Sequence, residues 1–522
     1  MYFILTIIFS ISLGFGANYY DYQLNSFLSK SDNFINIPDT LRLVGIMSQF
    51  QKEIPDEPKT SGDGKFLIEK DSLSHMFFNS DLSRCTGFLV DRPPHNKKYF
   101  SKQLEAVGNY YKNISNNYLN YTANIISNSN SISDGYYTVS NDMEYYAKSD
   151  SLLAEFFSES LKLATNDIEN FFSDKSFTPD DVVFIVFHAG LSQDFSYPTL
   201  DPTIYDLKSA YIDESMMQNI NPTYILDFPI SEGILLPETQ NIIYYDVVED
   251  IFGNPDYGTN DLCDIQIGLT GIFAFLLGYS LGLPEMFDPI NGNPGIGYFG
   301  LMDHGSNNGR GVIPAPISPW TRSILSPNWS NIIELSPLEG LDSIYQIFAL
   351  DIDNSLLKIN ISDIEYFLIE NRNNWVFENI DIDSLRIKNK IDEYTLGHWF
   401  DTIINEFPSD NIQIDSETQV ITGFDHYDYG LPGSGILIWH VNEPSPSIYS
   451  TGINTNGMKH VQIKESDGAQ DIGTKSYAFF SSDDPTKGTK WDYWFIGNSG
   501  YEFSNPGLDG LIIFDEKSSP NT

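Results

Sequence analysis

Apolar positions dominate residues 41–50, L-R-L-V-G-I-M-S-Q-F, and the stretch reads as a β-strand. Residues 54–65 carry Pro55, Pro58, Gly62 and Gly64 and read as a loop. Apolar spacing over 99–112 suits a helix, and 152–172 is the clearest amphipathic helix in the chain. Its stripe runs through Leu153, Phe156, Phe157, Leu161, Ala164, Ile168, Phe171 and Phe172, and the plain reading is core. Residues 181–189, D-V-V-F-I-V-F-H-A, form the nearly continuous apolar run expected of a strand buried on both faces. The organising stretch is 265–284, uncharged and apolar between Asp264 and Glu285, with a Gly282-Leu283-Pro284 stop. Its length suits a membrane span, but its four glycines and lack of basic flanks fit a buried core helix instead.

From about residue 336 the texture changes to short β-type runs separated by turn residues, at 345–352, 355–361, 365–371, 435–441 and 460–464. This spacing predicts an all-β, sandwich-like domain over 336–515, after an α+β domain over 41–330. Residues 17–40 read as a lead-in segment and 516–522 as a disordered tail.

Charge narrows the function classes. Lys plus Arg number 29 against 71 Asp plus Glu, a formal charge of −42, which argues against a nucleic-acid partner. An acidic surface that aids solubility is the plain reading, and affinity for divalent cations is compatible with it. Residues 1–16 are apolar and end in Gly14-Phe15-Gly16, which reads as a secretory signal cleaved after Gly16, although no basic segment precedes it. The expectation is a secreted, cell-surface or periplasmic protein with no transmembrane span once the signal is removed. Cys85 and Cys263 fit export with one disulfide, but sequence alone does not pair them.

The candidate chemistry lies at 271–288, which reads G-I-F-A-F-L-L-G-Y-S-L-G-L-P-E-M-F-D. It resembles the immune inhibitor A-type secreted zinc metallopeptidases, whose pattern is close to G-V-x-A-H-E-x-G-H-x-L-G-L-P-D-x-Y-D. In such metzincin-like enzymes His-Glu-x-x-His sits on a helix, with two metal ligands one turn apart and a Glu that activates water. A glycine then turns the chain to a third ligand. The resemblance implies a zincin-type fold for 41–330. It places Gly282 at the turn, Glu285 at the third-ligand position and Met302, in G-I-G-Y-F-G-L-M-D, at the methionine turn. His188 matches a scaffold histidine of the family. Further segments, at 41–50, 99–112, 314–329, 365–372 and 433–441, resemble it in the same order.

The departure from the pattern matters most. The ligand, base and ligand positions are Phe275, Leu276 and Tyr279. Phe and Leu offer a metal no lone pair, and a tyrosine with pKa near ~10 is a poor zinc ligand at neutral pH. The eight histidines, at 75, 95, 188, 304, 398, 426, 440 and 460, contain no His-x3-His. Zinc is therefore not expected, and the chain reads as a catalytically inactive pseudopeptidase that binds a peptide or protein. Alternatives are an active metalloendopeptidase with a non-standard metal site and a structural or adhesive cell-surface protein. Calcium is conceivable at Asp288, Asn291 and Asn293, though their spacing matches no defined calcium loop. Tyr279, if buried, needs a hydroxyl partner, and Glu285 is the natural one. Glu370, Asp425, His426 and His440 are the residue types of an acid/base set, but nothing in the sequence brings them together.

Overall fold

The structure, a computed structural model, describes residues 37–38, 40–55, 57–68, 88–131, 135–173, 175, 177–195, 203–241, 266–325, 327–335, 344–350, 352–389, 404–445, 448, 452–455, 458–474, 484–508 and 510–522. The signal, nearly all of the lead-in, Cys85 and Cys263 lie outside these residues.

The apolar run expected as the first strand forms β1 (Thr40–Gln49). Helix α1 (Lys97–Ile114) follows, its start fixed by the Asn96 side chain, which accepts from the backbone N–H groups of Lys98 and Tyr99. Strand β2 (Asn120–Ile126), the two-residue β3 (Tyr137–Thr138) and the short α2 (Met143–Ala147) lead into α3 (Asp150–Phe172), capped by Ser149. Strand β4 (Val182–His188) is buried along its whole length, and β5 (Ala210–Ile212), α4 (Glu214–Met217), β6 (Thr223–Ile225), β7 (Phe228–Ile230) and β8 (Gly233–Pro237) come next. The main sheet runs β2-β1-β4-β8-β5, with β3 beside the end of β1. All its pairings are parallel except β5 with β8.

Successive strand side chains face opposite ways, and β4 shows what each face meets. Phe187 packs against Phe100 of α1 and against Phe273 of the central apolar helix, α5 (Thr270–Ser280). His188 packs against Phe156 of α3. Helices α1 and α5 therefore cover one face and α3 the other, which explains why β4 has no polar alternation. Among the described residues no helix is long and apolar enough to cross a membrane. Helix α5 takes up only eleven residues of the apolar run.

Helix α6 (Pro319–Leu325) leads into the second sheet through β9 (Asn331–Leu335), β10 (Ser355–Asn360) and β11 (Glu365–Arg372). Then come α7 (Ile382–Lys388), the hairpin β12 (Ile412–Ile414) with β13 (Ile421–Phe424), β14 (Gly435–Asn442), β15 (Val461–Ile463) and α8 (Ser499–Ser504). The order is β15-β14-β11-β10-β9, antiparallel except for β9 with β10. The expected strand at 345–352 does not form. Only an isolated bridge links Ala349 to Asn371. Among the described residues the C-terminal half holds this one large sheet. Its two faces are covered by the N-terminal half and by the chain's own end.

Leu368, Leu437, Trp439 and Val441 join the core that also contains α1, α3, β4 and α5. Phe367 and Ile438, on the opposite face, pack with Trp494, Tyr501 and Phe514. The stretches 41–330 and 336–515 thus share one hydrophobic core. Further ties run from α1, where Asn109 Nδ2 donates to the Thr422 carbonyl and Tyr110 packs edge-on against Tyr427. Within residues 516–522, expected as a disordered tail, Ser519 is bonded to Asn505. The Asn505 Oδ1 accepts from the Ser519 N–H at 2.7 Å and its Nδ2 donates to the Ser519 carbonyl at 2.8 Å.

Candidate functional site

Helix α5 has no side-chain cap of its own. Asp91 supplies one from a distant loop by accepting the Leu269 N–H at 2.8 Å, and burial pushes its carboxyl above the usual range. At the other end Gly282 takes φ +81°, and the Leu283 N–H returns to the Gly278 carbonyl at 2.9 Å. This left-handed turn is open to glycine and costly for other residues. It swings the chain so that Glu285 comes back against the helix.

Phe275, Leu276, Tyr279 and Glu285 are all buried, none more than 3 % exposed. The Tyr279 hydroxyl donates to Glu285 Oε1 at 2.8 Å, the partner expected for it. Phe275 meets Tyr279 edge-on with ring centres 5.1 Å apart, and Tyr211 of β5 stacks against Tyr279 at 6.0 Å. Burial, with Glu285 adding to it, pushes the Tyr279 phenol well above its ordinary pKa, so it stays a neutral donor. Met302 lies against Gly278, where an added Cβ would come within 2.5 Å of its sulfur. Its carbonyl accepts from the Met286 N–H, which fixes the segment after the helix.

These residues do not fit a zinc ion. Two of the positions are hydrocarbon, the third is a phenol kept protonated, and Glu285 already accepts from that phenol. One carboxylate falls short of the three protein ligands that a catalytic zinc needs. The arrangement is a packed aromatic plug that links helix to loop through one hydrogen bond, and no catalytic step is derived from it.

Asp288, Asn291 and Asn293 do come together, in a loop that satisfies itself. Asp288 accepts from the Ile290 N–H and from Asn291 Nδ2, while Asn291 Oδ1 accepts from the Asn293 N–H at 2.8 Å. Their oxygens thus serve the turn. Glu370, Asp425, His426 and His440 do not converge. Glu370 faces the shared core, His440 lies on the opposite side of the sheet with its Nε2 2.8 Å from Glu365, and His426 stacks on Tyr429. His188 places Nδ1 2.9 Å from the Ala189 carbonyl. Burial lowers its pKa to about 4, so it is a neutral scaffold residue.

Sequence reasoning missed three polar clusters. One carboxylate oxygen from each of Glu465, Asp467 and Asp492 lies within 4.8 Å of the others. Burial raises Glu465 to about 8, and burial with the neighbouring acids holds Asp492 well above the carboxylate range. Asp471 is raised by the same causes, and Lys459, whose ammonium donates to the Ile472 carbonyl, faces Glu465 and Asp471. The spacing in E-S-D-G-A-Q-D at 465–471 was a usable signal. Nothing near it announces Asp492. The second cluster pairs His95 Nδ1 with Glu238 Oε2 at 2.6 Å, both fully buried. Glu238 also accepts from the N–H groups of Leu67 and Gly190, and so ties three loops at the carboxyl ends of the parallel strands. The third joins Arg322 of α6 to Glu370 at 2.6 Å and Arg372 to Asp428 at 3.0 Å.

No family model matches this chain. No curated protein matches it either.

Proposed function

We propose that the protein is an exported, metallopeptidase-like chain that has lost its catalytic metal and acts by binding a peptide or protein partner. The observation that carries this reading is the Phe275–Tyr279–Glu285 plug, in which hydrocarbon and a protonated phenol stand where the resembled family places two zinc ligands. The partner surface is placed outside the buried α5 frame, on the C-terminal half. There Ile496 and Phe503 are 85 % and 88 % exposed, and Leu511 is also exposed. These exposed large apolar side chains support that choice of surface. The test is zinc per chain by elemental mass spectrometry on protein purified without chelator or affinity metal, run beside a peptidase assay. A value near zero with no cleavage is expected. A value near one, or metal-dependent cleavage, overturns the reading.

A second reading concerns calcium, and the acidic cluster favours it. Oxygen donors from Glu465, Asp467 and Asp492 suit a hard cation and lack the nitrogen or sulfur ligands usual for zinc. Calcium would neutralise carboxylates that burial otherwise keeps protonated. Calorimetric titration with calcium tests this, and no heat of binding in the millimolar range would sink it.

A further inference from the structure

The sequence holds four Asn-x-Ser/Thr triplets with no proline in the middle, beginning at Asn113, Asn120, Asn328 and Asn360. In an exported chain such a triplet is an acceptor for an N-linked glycan, which is bulky and hydrated and therefore belongs on the surface. The fold treats the four differently. Asn113 ties α1 to the C-terminal half, because its Nδ2 donates to the Asp425 carbonyl at 2.6 Å. Ser115 of the same triplet is fully buried, with its hydroxyl donating to the Lys112 carbonyl. Asn328 is exposed, but Trp329 and Ser330 beside it are buried. Asn360 is half-buried, and its Nδ2 donates to Glu334 Oε1 at 2.6 Å.

Asn120 is the first residue of β2, just after the turn that ends α1. Asn120 and Thr122 are both exposed. Tyr121 between them faces the other way, and its hydroxyl donates to Asn109 Oδ1 of α1 at 2.7 Å. Among the described residues β2 pairs only with β1, so it forms an edge of the main sheet. A glycan at Asn120 thus displaces no packing, whereas one at Asn113 competes with the closure of α1 onto residue 425. We propose that Asn120 is a site of N-linked glycosylation, an inference that rests on the export reading above. The donor is a lipid-linked oligosaccharide diphosphate. Asn120 Nδ2 attacks the anomeric carbon, a C–N bond forms, and the C–O bond to the diphosphate breaks with its electron pair on the departing phosphate. One amide proton is released.

The test expresses the full chain in a eukaryotic secretory host, once with its own residues 1–16 and once with a host leader in their place. Peptide N-glycosidase converts each glycosylated asparagine to aspartate, which peptide mass spectrometry then reads. Chains held inside the secretory compartment are scored beside those in the medium, so a version that fails to leave the cell still reports. Asn120 should be occupied in most chains. Asn120→Gln and Thr122→Ala should each lose that glycan, and Thr122→Ser should keep it. Asn120 unmodified in chains that entered the compartment overturns the proposal, as does a secreted chain glycosylated at Asn113 with Asn120 bare. If only the host-leader version enters the compartment, the export reading fails, and the occupancy of Asn120 in that version still decides the site.

Discussion

Two regions of this molecule resolve the same difficulty in opposite ways. At α5, the position that the proposed function reads as a lost metal site is filled with hydrocarbon and carries a tyrosine–glutamate bond. At 465–492, carboxylates crowd together without apolar filling, and burial forces protons onto them. The first region keeps its phenol a neutral donor, because burial raises the Tyr279 pKa. The second contributes stability only while its acids are protonated or, on the calcium reading, bound to a cation. Burying polar groups is costly unless something pairs them, and the difference shows two remedies: replace the groups, or keep them neutral.

The largest effect should come from undoing the first remedy. Phe275→His with Leu276→Glu and Tyr279→His restores the ligand and base types beside Glu285. Zinc content by elemental analysis should rise from near zero to near one per chain. Denaturant unfolding without metal should show a loss no smaller than the roughly 2–5 kcal/mol expected for Leu276→Ala alone. A triple variant that folds and takes up no zinc would break the comparison, because the α5 frame would then not be a metal frame.

Next is Glu465→Gln. The folded chain holds the Glu465 proton to about pH 8, against an ordinary 4.5, so this residue's contribution to stability falls as pH rises through that interval. The variant should be more stable than wild type by about 4–5 kcal/mol near pH 8, with the gain vanishing toward pH 4.5. Urea midpoints across that range are the check. His188 has the opposite sign. Its folded pKa of about 4 against 6.5 unfolded means that stability is lost as pH falls through that window, by about 3 kcal/mol in all. His188→Phe should remove that acid-side slope and leave the slope due to Glu465. The smallest effect should be that of Tyr279→Phe, which leaves buried Glu285 without this donor and costs about 1–3 kcal/mol. A neutral result would show that aromatic packing alone closes the plug.

Much of the N-terminal half was legible because its apolar patterns are local. The stripe of α3 and the unbroken run of β4 each state their own burial, and both form where the pattern puts them. The Tyr279–Glu285 bond was legible for a related reason, since a single glycine turn separates the two residues. The resemblance to a peptidase family rests on that same stretch and remains part of the proposal. Residues 345–352 misled because an apolar run also suits a segment that merely crosses a sheet end. The acidic and arginine clusters were not readable. Asp492 joins Glu465, and Arg322 joins Glu370 and Asp428, through folds of the chain that no local period encodes.

The contacts from α1 to the hairpin also set an order of events during synthesis. Asn109 reaches its partner at Thr422 across 313 residues of chain. At typical rates of about 5–20 residues per second, roughly 15–60 s pass between the emergence of α1 and that of its cover. Throughout that interval the surface of Tyr110 that the hairpin will close faces solvent or a chaperone, and the surface of α6 joins it once residues 319–325 have emerged. The first half of this protein must be kept from aggregating until the second half arrives.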